Sequence, residues 1–149
     1  MKIAIGSDHG GFELKEHILN YLLSHGYNVD DFGTDSLEST DYPIFALNVS
    51  KSVANKTHDR GIVICGTGVG ISIAANKVRG IRCALVSDCF SAKATRQHND
   101  TNVLALGGRV IGKGLAEEIV DIWINTEFEG GRHNRRIDLI TDIEKLEKS

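Results

Sequence analysis

A cysteine stands where a predicted strand runs into a glycine-rich turn, in the segment IVICGTGVG at residues 62–70. Cysteine reacts as its thiolate, and the N-terminus of a helix stabilises a nearby thiolate. A helix predicted from about Val69 would begin beside Cys65, and the glycines would let backbone N–H groups converge on an anion. The segment therefore predicts a nucleophile or base next to an oxyanion site, although a strand-end cysteine can also be a small core residue.

More polar side chains follow other predicted strands, at the edge where an open parallel sheet binds its ligands. Asp8 and His9 follow the first strand, and Arg109 follows the fifth. We expect His98, near the end of the fourth helix, to lie at the same edge of the sheet. Histidine suits proton transfer near neutral pH, so this edge could carry acid–base chemistry. The plainer alternative is that Ser7 or Asp8 only caps the first helix.

A basic cluster, RHNRR, occupies residues 132–136. Arg132 and Arg136 are four residues apart, so on a helix they share a face and could grip one phosphate by forked hydrogen bonds. A solvated surface and a nucleic-acid patch are the alternatives, and the formal net charge of −3 disfavours the second. The spacing does not indicate a metal site, because neither His-x-x-x-His nor clustered carboxylates occur.

The spacing Gly66-x-Gly68-x-Gly70 is also compatible with a dinucleotide-binding turn, since Asp88 lies about 20 residues further on, where a ribose-binding carboxylate would be expected. Two details weaken this interpretation. Ile71 occupies the position of the third glycine, and the turn follows the third strand, whereas the fingerprint normally follows the first. A nucleotide-binding regulatory module therefore stays open as the weaker alternative to an enzyme.

The three cysteines, Cys65, Cys83 and Cys89, form no C-x-x-C pair. This pattern indicates a reducing compartment, and we expect a cytoplasmic protein without a disulfide framework. Cys83 falls inside an apolar run and is expected to be a core residue. Cys89 begins a predicted helix, but the neighbouring carboxylate of Asp88 should raise its pKa and reduce its reactivity.

The composition fits one globular domain over residues 1–149, with 41% hydrophobic and 25% charged residues to build a core and a surface. The first apolar run, KIAI at 2–5, is too short for a signal peptide. No segment reaches the ~20 apolar residues that span a membrane. We therefore expect neither a membrane nor a nucleic acid as a partner.

Alternating apolar runs and helix-period segments predict an α/β domain, a Rossmann-like three-layer α-β-α arrangement with a five-stranded parallel sheet. Strands are predicted at about 2–6, 27–32, 61–65, 81–86 and 102–106. Helices are predicted at about 11–25, 41–56, 69–78, 89–97 and 112–125. An extra C-terminal helix, at about 133–147, carries a narrow apolar stripe; we expect it to pack on a partner subunit, with docking on its own domain as the alternative.

Seven motifs in this order resemble the type B ribose-5-phosphate isomerases, within the wider RpiB/LacA/LacB group of sugar-phosphate isomerases. The motifs are GSDHGG at 6–11, DYP at 41–43, CGTGVG at 65–70, SIAANK at 72–77, RQHN at 96–99, NVL at 102–104 and GRHNRR at 131–136. The resemblance covers almost the whole chain. It implies reversible conversion of D-ribose 5-phosphate into D-ribulose 5-phosphate through an enediol, without cofactor or metal.

The resemblance also implies catalytic roles. Cys65 would be the base that carries a proton between C2 and C1, and His98 would assist opening of the furanose ring. Asp8 would contact sugar hydroxyls during that opening, and Thr67 would hydrogen-bond O1 or O2. The backbone N–H groups that would hold the enediolate are those of Gly66, Thr67, Gly68, Val69 and Gly70.

The phosphate ligands implied by the resemblance are His9, Arg132 and Arg136, with Arg109 as a further contact on the same side. Asn99 would reach a sugar hydroxyl from the neighbouring subunit, since the family shares its active sites across a homodimer; a tetramer is a further option. Ile71 stands where a subset of the family carries a glutamate base, so the chain resembles the cysteine-using branch. The alternative substrate is a six-carbon phosphosugar, allose 6-phosphate or galactose 6-phosphate, which pocket depth would decide.

Overall fold

Five parallel strands form the central sheet of the computed structural model, which describes residues 1–148. They are β1 Lys2–Ser7, β2 Asn28–Asp31, β3 Arg60–Cys65, β4 Cys83–Leu85 and β5 Val103–Gly107. Their order across the sheet is β2-β1-β3-β5-β4, and every neighbouring pair is parallel. The predicted α/β fold is confirmed, and its topological switch point lies between β1 and β3.

Helices cover both faces of the sheet. They are α1 Phe12–Ser24, α2 Tyr42–Ala54, α3 Val69–Ala75, α4 Cys89–Asn99, α5 Lys113–Asn125 and α6 Arg132–Lys148, with a 3₁₀ turn at His9–Gly11 before α1. Only α3 departs clearly from its predicted bounds, since it ends at Ala75. The cause lies in Asn76, whose Nδ2 donates to Cys83 O at 2.9 Å and whose Oδ1 accepts from the N–H of Cys83 at 2.8 Å. These two bonds tie the end of α3 to β4.

The core lies on both faces of the sheet. Along β3, Ile62 and Ile64 point into the core beneath α1 and α5, whereas Val63 and Cys65 point into the core beneath α2 and α3. A parallel sheet covered on both faces needs strands that are apolar throughout, which explains the uninterrupted apolar runs of β3 and β5. This alternation places the Cys65 side chain on the α2/α3 face.

The C-terminal helix α6 leaves much of its apolar stripe exposed. The side chain of Ile143 is 61% exposed, and that of Leu146 is 78% exposed. Glu144 Oε1 accepts a hydrogen bond from the N–H of Gly80 at 3.0 Å, so the helix does touch its own domain. Packing of the stripe on a partner subunit stays a prediction.

None of the helices within residues 1–148 combines the length and the apolar character needed to cross a bilayer.

Candidate active site

Three loops meet at the carboxyl edge of the sheet, after β1, β3 and β5. The N–H of Asp8 donates to Ile64 O at 3.3 Å, and the N–H of Gly108 donates to Cys65 O at 2.8 Å. These bonds fasten the loops after β1 and β5 to the end of β3, on either side of the switch point. Asp8, Cys65 and Arg109 are therefore brought to one edge, as predicted from their positions after the first, third and fifth strands.

Two glycines permit this close approach. A Cβ on Gly108 would lie 2.8 Å from the carbonyl oxygen of Gly10, so a side chain there would push the two loops apart. Gly68 has a φ of +80°, and a Cβ there would lie 2.5 Å from Leu85 Cδ1. The turn after Cys65 thus needs glycine both for its left-handed conformation and for space.

Cys65 directs its sulfur into this turn. Its side chain is 5% exposed, and the N–H of Gly68 donates to Sγ at 3.2 Å. An N–H directed at sulfur replaces water as a donor to a thiolate. Thr67 Oγ1 accepts from the N–H of Val69 at 3.1 Å, so its own O–H can donate to a ligand oxygen. The helix begins at Val69, as predicted.

Asp8 is buried, and its two carboxylate oxygens have different roles. Its Oδ1 accepts from the N–H of Gly11 at 3.1 Å, which caps the 3₁₀ turn in front of α1. Asp8 therefore caps the 3₁₀ turn and not α1 itself, whose N-cap is Gly11, and this cap uses only one carboxylate oxygen. Oδ2 is the oxygen that can accept a hydrogen bond from a hydroxyl of a ligand.

His9 and Arg109 line one cavity of about 210 Å³ beside these loops. Thr40 holds His9 at two points, because the N–H of Thr40 donates to Nδ1 at 3.1 Å and the N–H of His9 donates to Thr40 Oγ1 at 3.2 Å. With Nδ1 as acceptor, the neutral ring carries its hydrogen on Nε2, which can donate to an anion. Thr40 carries no sequence signal for this role, since it lies 31 positions from His9.

Tyr42 borders the turn after Cys65 from α2. A Cβ on Gly70 would lie 2.6 Å from Cζ of the Tyr42 ring, so ring and turn are in direct contact. The DYP motif at 41–43 singles this tyrosine out, but its spacing does not say what the ring would touch.

A second group of predicted ligands lies at the opposite, amino edge of the sheet: His98, Asn99, Arg132 and Arg136. Helix α4 runs antiparallel to the strands, and its last turn lies beside the start of β4, where Arg82 Nε donates to Asn99 O at 2.9 Å. The expectation that His98 shares an edge with Asp8 is therefore wrong within one chain. The five residues of β5 alone separate the two edges by roughly 17 Å.

The amino-edge group is held together by the segment that leads into α6. The N–H of Glu129 donates to Gln97 O at 3.2 Å, and the rings of His98 and His133 stack with centroids 4.6 Å apart. His98 Nε2 lies 3.9 Å from Glu129 Oε1. Burial lowers the pKa of His133, and the nearby charges of His98 and Arg132 lower it further. The contacts of Glu129 and His133 with His98 could not be predicted from the sequence, because both residues are distant from His98 along the chain.

The other cysteines do not form a reactive site. Burial raises the pKa of Cys83 to about 12, as expected of a core residue. The pKa of Cys89 is raised first by burial and then by Glu118, while Asp88 makes the smallest contribution. Asp88 Oδ1 accepts from the N–H of Ser91 at 2.7 Å; the hydrogen bond caps α4 and lowers the pKa of Asp88. This capping role weakens the nucleotide-binding alternative.

A more voluminous cavity, about 450 Å³, lies away from Cys65, between α6 and the region of β4. Ile81, Ile140 and Ile143 form an apolar part of its wall, polar side chains such as Asn99 and Glu144 line the rest, and its thiol is that of Cys83. Volume alone does not make it the better candidate, because burial raises the pKa of its Cys83 thiol to about 12 and so keeps that thiol protonated near neutral pH. The smaller cavity is the better candidate site, since its lining residues Gly10 and Gly108 belong to the loops around Cys65.

Comparisons with known proteins agree with the motifs. A family model described as Ribose/Galactose Isomerase matches residues 3–140. The chain is 56% identical over 144 residues to ribose-5-phosphate isomerase B of Escherichia coli, covering 97% of each. A structure of Clostridium thermocellum ribose-5-phosphate isomerase B matches with a TM-score of 0.97 at 57% identity, covering 98% of this chain and 99% of that one. Mycoplasma genitalium ribose-5-phosphate isomerase B with bound ribulose-5-phosphate matches with a TM-score of 0.93 at 44% identity, over 97% and 96%.

Proposed function

We propose a function from one premise: the chain belongs to the ribose/galactose isomerase family. We propose that it interconverts an aldose phosphate and a ketose phosphate, with D-ribose 5-phosphate and D-ribulose 5-phosphate as the substrate pair. The observation that carries the proposal is that Asp8, Cys65 and Thr67 stand together at the switch point, beside the cavity of His9 and Arg109. This edge supplies a base, a ligand for sugar hydroxyls and donors for an anion.

The proton transfers follow from these side chains. The Cys65 thiolate removes the proton from C2 of the open-chain aldose, and the C2–H electron pair forms the C1=C2 bond of an enediolate as charge moves to O1. Cys65 then returns its proton to C1, while the proton on O2 passes to O1 as the C2 carbonyl forms. Thr67, whose hydroxyl can both accept and donate, is suited to carry that second proton.

The enediolate oxygen needs donors that are already in place. The N–H of Gly70 lies in the first turn of α3 and so has no helical partner four residues earlier. Together with the O–H of Thr67, it is a candidate donor to the developing charge. Each well-placed donor of this kind is typically worth ~2.7–4 kcal/mol of the barrier.

The phosphate would occupy the cavity of His9 and Arg109. A guanidinium grips phosphate oxygens by forked hydrogen bonds, and the Nε2–H of His9, fixed in direction by Thr40, adds a donor. Binding of the phosphate can align C1 and C2 with Cys65. Its binding energy offsets the translational and rotational entropy that the substrate loses when the reacting carbons are held in place.

A second copy of the chain would complete the site. His98, Asn99, Arg132 and Arg136 lie at the far edge of their own sheet, so they can reach the C1–C2 end or the phosphate only on a neighbouring subunit. We propose a homodimer with two shared sites, in which ring opening by His98 and part of the phosphate clamp come from the partner copy.

The α2/α3 face next to Cys65 suits such a partner. Ile44 on α2 is 56% exposed, and Ile73 on α3 is 57% exposed. Val69, at the edge of the turn after Cys65, is also exposed. Apolar side chains grouped beside a reactive site are typical of a subunit interface.

Mixing two inactive variants tests both the proposed reaction and the proposal that each active site is built from two subunits. Cys65→Ala and His98→Ala are each expected to have little activity on D-ribose 5-phosphate. In a mixed dimer, one of the two sites combines the intact Cys65 of one chain with the intact His98 of the other. Unfolding and refolding an equal mixture should therefore restore about one quarter of the wild-type rate, since about half of the dimers are mixed and each has one intact site.

If each site were built from one chain, every site in the mixture would carry a mutation and no activity would return. The matched control mixes Cys65→Ala with Asp8→Ala: both residues lie at the same edge of one chain, so every site in that mixture keeps a mutation and no activity should return. The same assay run on allose 6-phosphate and galactose 6-phosphate decides between five-carbon and six-carbon substrates. A wild-type protein inactive on all three sugars would contradict the proposed function.

A further inference from the structure

Three side chains at the amino edge present metal-ligating atoms to one another. His98 stands at the end of α4, Glu129 on the segment before α6, and His133 in the first turn of α6. One ligand atom of each lies within 4.8 Å of those of the other two. The mechanism proposed above uses His98 alone, so Glu129 and His133 have no role in it.

The backbone already holds these three residues together. The N–H of Glu129 donates to the carbonyl of Gln97, the residue before His98, at 3.2 Å. The N–H of His133 donates to Gly130 O at 3.2 Å, which closes the turn that follows Glu129. An ion would therefore have to reorient side chains only, because the segments that carry them are fixed to each other.

The donor set also has the right chemistry. Two imidazole nitrogens and one carboxylate oxygen are ligands that Zn²⁺ accepts, and three protein ligands leave a fourth position for water. An imidazole binds a metal in its neutral form. His133 is buried, whereas His98 and Glu129 are exposed and leave the position open to solvent. The guanidinium of Arg132 repels a cation here, so binding should be reversible.

We propose that His98, Glu129 and His133 form an inhibitory binding site for a divalent transition-metal ion of the Zn²⁺ type. The ion would coordinate Nε2 of His98, and the imidazole could then no longer transfer the proton that assists ring opening. This inhibition rests on the proposed function, whereas the binding itself does not. The site would be regulatory, since the proposed proton transfers at Cys65 use no ion.

Binding is measured first, without any substrate. Metal-free protein is titrated with Zn²⁺ by calorimetry and with Co²⁺ by visible absorption. We expect one ion per chain at this site, and a Co²⁺ spectrum without the thiolate-to-metal band that binding at Cys65 would produce. Glu129→Gln should weaken the affinity by about tenfold or more, because a ligand is lost. Glu127→Gln, a neighbouring exposed carboxylate outside the cluster, should leave it unchanged.

Inhibition is measured next, on D-ribose 5-phosphate. Zn²⁺ should inhibit the wild type over the concentration range in which it binds. In Glu129→Gln the half-inhibitory concentration, relative to that variant's own uninhibited rate, should rise by about tenfold or more. His133→Gln gives a second ligand variant, with circular dichroism to confirm its fold.

Two results would overturn the site: no Zn²⁺ binding by the wild type, or equal affinity in Glu129→Gln and Glu127→Gln. Inhibition that is the same in both variants would overturn the regulatory role. If the protein bound Zn²⁺ as expected but isomerised no sugar phosphate, the site would stand and the proposed function would fail.

Discussion

The surroundings of Cys65, the proposed base, are set by the turn that follows it. The sulfur accepts an N–H from Gly68, and the hydroxyl of Thr67 accepts one from Val69. Both bonds come from residues within four positions of Cys65, so a short sequence motif can encode them. The same turn buries the thiol, which keeps the proposed base away from water and from adventitious oxidation.

Cys65→Ser tests the thiol with minimal change in shape. An alcohol is a far weaker acid than a thiol, so its alkoxide is almost absent at neutral pH. The kcat for D-ribose 5-phosphate isomerisation should fall by about 10²–10⁴-fold, the usual worth of a positioned base, while KM changes little. Cys89→Ser, the same change at a half-buried cysteine on α4, should leave both constants unchanged. Retention of most of the wild-type kcat by Cys65→Ser would sink the assignment of the base.

The direction of helix α4 determines at which edge of the sheet His98 lies. Its direction carries His98 to the amino edge, and its end is clamped there by a buried arginine. Arg96 donates to Asp100 Oδ1 at 2.9 Å and to Thr101 O at 2.6 Å, and its Nε donates to Thr126 O at 3.2 Å. Arg96 therefore ties the end of α4 both to the start of β5 and to the segment that leads into α6.

The edge strand β2 has a polar anchor of its own. His58 is buried, with Nε2 2.7 Å from Asp30 Oδ2 and Nδ1 hydrogen-bonded to Ser52. These contacts link β2 to α2 and to the loop before β3. They resemble a serine–histidine–aspartate chain in composition only, because no cavity opens on Ser52 among those described.

Asp30→Asn should lower stability in a pH-dependent way. The hydrogen bond from His58 is the main cause that lowers the pKa of Asp30 in the folded state. Its stabilisation is present above the unfolded pKa of ~3.9 and is lost as the pH falls through the lower folded value. We expect a Tm about 2 °C below wild type at pH 7, since the Asp30 side chain is 49% exposed and a pair with one partner so open to solvent contributes at most ~1 kcal/mol.

The comparison is made by thermal unfolding at pH 7 and in acid, where both proteins carry a neutral side chain at position 30. The difference in Tm should disappear in acid. Asp138→Asn, at an exposed position on α6, should show no difference at either pH. A Tm gap that persists unchanged in acid would show that packing, rather than the charge, is responsible.

As a whole, the molecule divides its candidate site between two edges. The thiol, the carboxylate of Asp8 and the cavity of His9 and Arg109 lie at one edge, and the histidine pair with Arg132 and Arg136 lies at the other. Exposed apolar side chains on α2 and α3 border the first edge. The proposed dimer brings one edge of each subunit against the other edge of its partner, and the same interface covers these apolar side chains.

Ile73→Glu tests the dimer directly. A glutamate buried in an apolar interface costs several kcal/mol because it loses its hydration. The variant should therefore be monomeric by light scattering, with wild-type circular dichroism and little isomerase activity. Leu23→Glu places the same charge on α1, at the other face of the sheet, and should leave mass and activity unchanged. A dimeric Ile73→Glu protein would rule out this face as the interface.

The strands, the turn after Cys65 and the fold class could be predicted from the sequence because their causes are local. Short apolar runs, glycine positions and strand-end polar residues all act within a few residues of one another, and the predicted edge for Asp8, Cys65 and Arg109 is confirmed. The placement of His98 could not be predicted in this way, since it depends on the direction in which α4 crosses the sheet. The contacts of His9 with Thr40, and of His98 with Glu129 and His133, likewise join distant parts of the chain. Such contacts arise only when packed helices and loops are brought together, so the tertiary structure alone decided which predicted ligands one chain can assemble.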